Sequence, residues 1–120
     1  MKVLVKAFKA LSDGTRLRIL NLLLERECCV CEVTQALGIS QSRASRNLSA
    51  LYDAGFLKLQ REGLWAVYSI DKEGLAEQYR DMIEAVKEEL KGNETAARDR
   101  ERLQTAERVG PDWLSRCCRT

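Results

Sequence analysis

Val30-Cys31-Glu32-Val33-Thr34-Gln35-Ala36-Leu37-Gly38-Ile39-Ser40-Gln41-Ser42-Arg43-Ala44-Ser45-Arg46-Asn47-Leu48 decides the fold. Val30, Val33 and Leu37 recur at helical spacing, and Gly38 suits the stop of a short helix. Ile39 leads into Ser40, a good N-cap, and from Gln41 a second helix presents Ala44, Leu48 and Leu51 to one side before ending near Ala54-Gly55. Its other side carries Ser42, Ser45, Arg46 and Ser49, with Arg43 on the flank. Two short helices joined at Gly38-Ile39-Ser40, the second with small polar and Arg residues outward, predict a helix-turn-helix.

The segments on either side extend that reading. Leu57-Lys58-Leu59-Gln60-Arg61 alternates, Glu62-Gly63 suits a turn, and Trp65-Ala66-Val67-Tyr68-Ser69-Ile70 is β-prone, so a hairpin wing is expected. Upstream, residues 3–11 form a short helix with Leu4, Phe8 and Leu11 on one face. Ser12-Asp13 offers a cap for a helix carrying Leu17, Leu20, Leu23 and Leu24 to about Glu25. Downstream, Asp71 is expected to cap a long helix whose stripe of Leu75, Tyr79, Met82, Ile83, Val86 and Leu90 runs to about Lys91. Leu4 and Phe8, with Tyr79, Ile83 and Val86, are apolar beyond what one thin core requires, and a homodimer built on them is predicted. The expected fold is mainly α with a β-hairpin wing, a dimeric winged helix-turn-helix. Residues 1–91 form its DNA-binding and dimerisation domain. Gly92 breaks the long helix, and 92–120 form a charged extension, with a solvated helix over 94–108 and a stop at Gly110-Pro111. Trp113 and Leu114 then precede Cys117-Cys118.

Composition narrows the function. The 120 residues are 32% charged and 6% aromatic, with a formal net charge of +2, too small by itself to mark a nucleic-acid binder. No apolar run approaches the ~20 residues of a membrane span. Lys6 and Lys9 interrupt the only candidate leader, so no membrane partner and a cytoplasmic location are expected. In that compartment thiols stay reduced, and three of the five cysteines fall at Cys28, Cys29 and Cys31. Such clustering points to metal binding or redox sensing rather than structural disulfides. With no histidine, any metal site is built from sulfur and oxygen. A thiol-dependent reductase is a remote alternative, since no Cys-x-x-Cys accompanies a βαβ pattern and no His base exists. The chain is read as a non-enzyme without an organic cofactor.

Three motifs together resemble the ArsR/SmtB family of repressors. Lys9-Ala10-Leu11-Ser12-Asp13-Gly14-Thr15-Arg16-Leu17-Arg18-Ile19-Leu20 is similar to the family's opening, with Gly14 where Pro is usual. Ser42-Arg43-Ala44-Ser45-Arg46-Asn47-Leu48 resembles its recognition helix, with Asn47 where His is commoner. Glu27-Cys28-Cys29-Val30-Cys31-Glu32-Val33 resembles the Cys-Val-Cys metalloid box of the arsenic-responsive branch. The resemblance covers residues 3 to about 91. It implies a dimeric winged-helix repressor that leaves operator DNA when arsenite or antimonite, As(III) or Sb(III), binds Cys29 and Cys31. Cys28 occupies a position usually apolar in the family, and the family's zinc site on its last long helix needs histidines that this chain lacks.

Trivalent arsenic prefers three thiolates. Residues at i and i+2 of a regular helix point roughly 200° apart, so Cys29 and Cys31 clasp one atom only where the backbone is not helical. A helix start is the least constrained place for that and its dipole favours thiolates. The third sulfur is open between Cys28, adjacent in sequence, and Cys117 or Cys118 of the tail, from either protomer. Cadmium, lead or zinc sensing by four thiolates, and redox sensing through a disulfide between the box and the tail, are the alternatives. On double-stranded operator DNA, Gln41, Ser42, Ser45 and Arg46 are expected to meet base edges, Arg43 and Lys58 phosphates, and Arg61 the backbone at the wing tip.

Overall fold

A computed structural model describes residues 1–109. In chain order they form α1 (Lys2–Leu11), α2 (Gly14–Glu25), β1 (Cys28–Cys29), α3 (Val30–Leu37), α4 (Gln41–Asp53), β2 (Leu57–Glu62), β3 (Trp65–Ile70), α5 (Glu77–Leu90) and α6 (Glu94–Thr105). The punctuation read from sequence sets most boundaries. Asp13 caps α2 by accepting the Arg16 N–H at 3.0 Å, and Ser40 caps α4 by accepting the Arg43 N–H at 3.2 Å. Gly38 closes α3 at a φ of +68°, a left-handed conformation that favours glycine. α2 is the axis of the molecule. Its Ile19, Leu20 and Leu22 are fully buried, and α3, α4, α5, α6 and β3 all pack on it. No helix among the described residues is long and apolar enough to cross a membrane.

The sheet has three antiparallel strands in the order β1-β3-β2. β2 and β3 are the expected hairpin, closed between Glu62 and Trp65 with Gly63 at φ +61°. β1 is an addition to the expected architecture. Cys28 and Cys29, expected at a helix start, pair instead with Tyr68 and Val67. Two residues are too few to leave a periodic signal.

Three further expectations are corrected. The helix expected from Asp71 begins at Glu77. Asp71 instead closes a turn, its carboxylate accepting the Gly74 N–H at 3.0 Å. The stripe on α5 does have a core to cover. Tyr79 and Ile83, expected at a dimer interface, are each 5% exposed, because α5 lies on α2 and Tyr79 stacks on Phe56 with ring centroids 4.8 Å apart. Val86 on the same helix stays half-buried, whereas Leu4 and Phe8 on α1 are 41% and 55% exposed. Finally, α6 is not a solvated helix. Ala96, Asp99 and Leu103 are buried, and α6 packs against α2 and α3. Arg18 grips Asp99 with two bonds of 2.8 and 2.9 Å. Asn21 donates to the Ala96 carbonyl at 3.1 Å and accepts from Arg100 at 2.8 Å.

Candidate thiol site and nucleic-acid interface

Cys29 sits at the seam between strand and helix. It is the last residue of β1 and the N-cap of α3, with φ −84° and ψ 168°. That extended backbone removes the helical 200° separation and swings its side chain toward Cys31. The two sulfurs are paired, with Cα atoms 5.5 Å apart. Glu32 holds the turn, since its Oε1 accepts the Cys29 N–H at 2.9 Å and its Oε2 accepts from Arg26 at 2.6 Å. Both cysteines are about 1% exposed and border a cleft that also touches Gln41 and Arg61.

Cys28 is held apart from this pair. Alternate residues of a strand face opposite ways, and Cys28 is a fully buried member of the hydrophobic core. Burial, chiefly, and then the charge of Glu32 push its thiol up to about 12. Among the described residues, no three His, Cys, Asp or Glu side chains converge to hold a metal ion. Cys117 and Cys118 lie outside the described residues.

The expected DNA face is arranged as follows. Ser42, Arg43, Arg46, Lys58 and Arg61 are exposed, and Gln41 and Ser45 half-buried. Arg43 is partly committed, donating to the Thr15 hydroxyl at 2.9 Å. Lys58 and Arg61, three positions apart on β2, fall on opposite faces of the wing.

Two residues with clear structural roles carried no assignment from sequence. Arg16 donates to the Lys9 and Ala10 carbonyls at 3.1 and 2.6 Å and to Asn47 at 3.1 Å, tying the end of α1 to α4. Arg108 reaches Glu32 at 3.4 Å and Glu62 at 3.3 Å, joining the thiol turn to the wing. Beside it, the Trp65 indole donates to the Val109 carbonyl at 3.0 Å. The Arg16 guanidinium stood inside a recognisable motif. Arg108 lay in a charge-dense run with no pattern to single it out.

This arrangement of α3, α4 and a three-stranded wing defines the winged helix-turn-helix class. The model of the bacterial regulatory protein, arsR family, matches residues 13–58. A homodimeric winged helix-turn-helix DNA-binding domain from Mycobacterium bovis, described as a possible ArsR-family transcriptional regulator, superposes with a TM-score of 0.64 at 30% identity, covering 78% of this chain and 82% of that one. The chain belongs to the ArsR family. An arsenic resistance transcriptional regulator of Pseudomonas putida is 46% identical over 67 residues, 55% of this chain and 52% of that protein. A cadmium resistance transcriptional regulatory protein homolog of Staphylococcus aureus is 45% identical over 69 residues, 57% of each. The chain thus spans little more than half the length of these curated relatives.

Proposed function

We propose that the protein is a homodimeric repressor that binds operator DNA through α4 and the wing and is released when As(III) or Sb(III) binds Cys29 and Cys31. One observation carries the reading: the two sulfurs of the Cys-Val-Cys box converge at the start of α3, the helix packed directly against α4. Soft thiolates select a thiophilic metalloid over hard cations, and a ligand that reshapes the Cys29 turn acts on the element that positions the DNA-facing residues. Residues 1–91 supply the DNA and dimer surfaces, and 92–120 the extension with its terminal cysteine pair. The exposed Leu4 and Phe8, with Val86, are the dimer contacts in this reading. Gln41, Ser42, Ser45 and Arg46 read bases, while Arg43, Lys58 and Arg61 hold the backbone.

The third sulfur is assigned to Cys117 or Cys118 rather than Cys28. Cys28 is packed in the hydrophobic core, on the opposite face of the strand from Cys29, which argues against it. Val109 is bonded to Trp65, which borders the same cleft as the two cysteines. From there, Cys117 is eight residues on and has a reach of at most about 26–29 Å. The test is direct titration of the reduced protein with arsenite, followed by sulfur-to-arsenic absorption in the ultraviolet. One equivalent per protomer is expected. Cys29→Ser and Cys31→Ser should abolish the signal, and the double Cys117→Ser/Cys118→Ser variant should weaken it.

A second reading draws on the Cys29–Cys31 pairing itself: thiol oxidation, rather than a metalloid, reshapes the turn. Operator release by a mild oxidant, reversed by a reductant and absent in Cys31→Ser, would favour it over the metalloid.

A further inference from the structure

Asp71 carries the end of the wing into a turn, and α5 starts only at Glu77. The turn closes on its own first residue, with the Gly74 N–H on the Asp71 carboxylate and the Leu75 N–H on the Asp71 carbonyl, each at 3.0 Å. Between this turn, the end of α2 and the first turns of α5 lies a cavity of about 440 Å³. That size falls within the roughly 300–1,000 Å³ of small-ligand sites. Its floor is apolar, made by Leu24, Ile70, Leu75 and Ile83. Its rim is cationic: Lys72 comes from the turn, and Arg80 and Lys87 from α5, against the single carboxylate of Glu84. Among the described residues, none of these three cations is in an ion pair. Arg80 donates one N–H to the Lys72 carbonyl at 3.1 Å. That bond holds the guanidinium at the rim and leaves the rest of its fork for a carboxylate.

We propose that this cavity binds a fatty-acid-like monocarboxylate, its chain on Leu24, Leu75 and Ile83 and its carboxylate on Arg80. Both ends of such a molecule find a counterpart here. A small inorganic anion leaves the floor unused, a plain hydrocarbon leaves the cations unpartnered, and an amine meets three like charges. The dimer does not compete for the space. Arg80, Glu84 and Lys87 recur at i, i+4 and i+7 and share one flank of α5, while Val86, the proposed dimer contact, stands on the far side of the buried Ile83. None of the residues used borders the cysteine turn, so the site is a second one and does not depend on the metalloid reading. Its walls join α2, the axis of the fold, to α5 and to Ile70 at the root of the wing.

Isothermal titration of the full chain with octanoate, hexanoate and 1-octanol tests the proposal. Octanoate is expected to saturate at one molecule per protomer. It should bind about tenfold more tightly than hexanoate, as two further buried methylenes require. Arg80 and Glu84 are exposed, so their substitution leaves the fold intact. Arg80→Gln should weaken octanoate by about tenfold and 1-octanol by less than about twofold. Arg80→Lys keeps the charge without the fork and should fall between Arg80→Gln and the wild type. Glu84→Gln removes the one like charge at the rim and should tighten octanoate by about two- to threefold. The double Cys29→Ser/Cys31→Ser variant should bind octanoate as the wild type does, which separates this result from the metalloid reading. Absence of saturable octanoate binding would overturn the proposal, as would equal losses of octanoate and 1-octanol in Arg80→Gln. Equal affinities for hexanoate and octanoate would remove the apolar floor from it, and weaker octanoate binding in Glu84→Gln would assign the rim to a cationic ligand; either result overturns it.

Discussion

The Glu32 carboxylate accepts the backbone N–H of Cys29 at 2.9 Å. This one bond fixes the non-helical turn that brings Cys29 to Cys31. The same carboxylate also holds Arg26 and Arg108, and Arg108 continues to Glu62 at the end of β2. The thiol turn and the wing therefore share an electrostatic connection that runs through the carboxyl-terminal segment.

That connection separates two variants. Glu32 is 4% exposed, and Glu32→Ala leaves the Cys29 N–H and two guanidinium partners without it, so a stability loss of about 1–3 kcal/mol is expected in urea unfolding. Arg108 is part-exposed in solvent-screened pairs, and Arg108→Ala should lower stability by less than about 1 kcal/mol. Its effect should fall on coupling: the arsenite-induced drop in operator affinity should shrink by about two- to thirtyfold, with arsenite binding itself unchanged. Anisotropy titrations with and without arsenite measure both quantities.

The dimer is expected to form on α1. Phe8 and Leu4 are large, apolar and exposed, so Leu4→Glu/Phe8→Glu should yield folded monomers by analytical ultracentrifugation, with operator affinity lost. Charge at Ile83 should instead unfold the protomer, because that side chain is buried beneath α5. A monomeric wild type at micromolar concentration would remove the dimer from the account.

Arg46 and Arg61 should fail in different ways. Arg46→Ala is expected to reduce discrimination between operator and random duplex, costing about 1–3 kcal/mol of specific binding. Arg61→Ala should weaken both duplexes alike and reduce the dependence of log K on log salt by about one. Binding isotherms at several salt concentrations separate the two effects.

Cys28 makes a prediction in pH. Burial raises its thiol to about 12 in the folded chain, from an ordinary value of 9.0. The folded state thus binds the proton more tightly than the unfolded state. Its stabilising share is complete below pH 9 and is lost progressively as pH rises toward 12, by about 1.4 kcal/mol per pH unit. Cys28→Ala should flatten that alkaline decline in urea unfolding. Native Cys28 should also resist alkylation at neutral pH.

Much of this was legible in the sequence because it rests on local chemistry. Asp13, Ser40 and Gly38 act where they stand, and the periodicity of Ala44, Leu48 and Leu51 needs no knowledge of the rest of the chain. The α5 stripe was equally visible, but periodicity says that a face is apolar and not what covers it, so Tyr79 and Ile83 were given to a partner instead of to Phe56 and α2. β1 is two residues paired across the chain to β3, a purely tertiary feature. α6 docks through Asp99, Arg100 and the Ala96 carbonyl, polar contacts that read in sequence as a solvated charge run. That Cys29 and Cys31 come together was expected from their type and spacing. Their separation from Cys28 was hidden, because neighbours in sequence become opposite faces once the segment is a strand.

Operator release by arsenite in Cys31→Ser tests the central claim most directly. Fluorescence anisotropy follows a labelled duplex, selected from random sequence by the wild-type protein, as arsenite is added under phosphine reductant. Cys→Ser is nearly isosteric, so the variant is expected to bind the duplex with wild-type affinity and to stay bound at arsenite concentrations that release the wild type fully. Release of Cys31→Ser at the wild-type arsenite concentration would contradict the account.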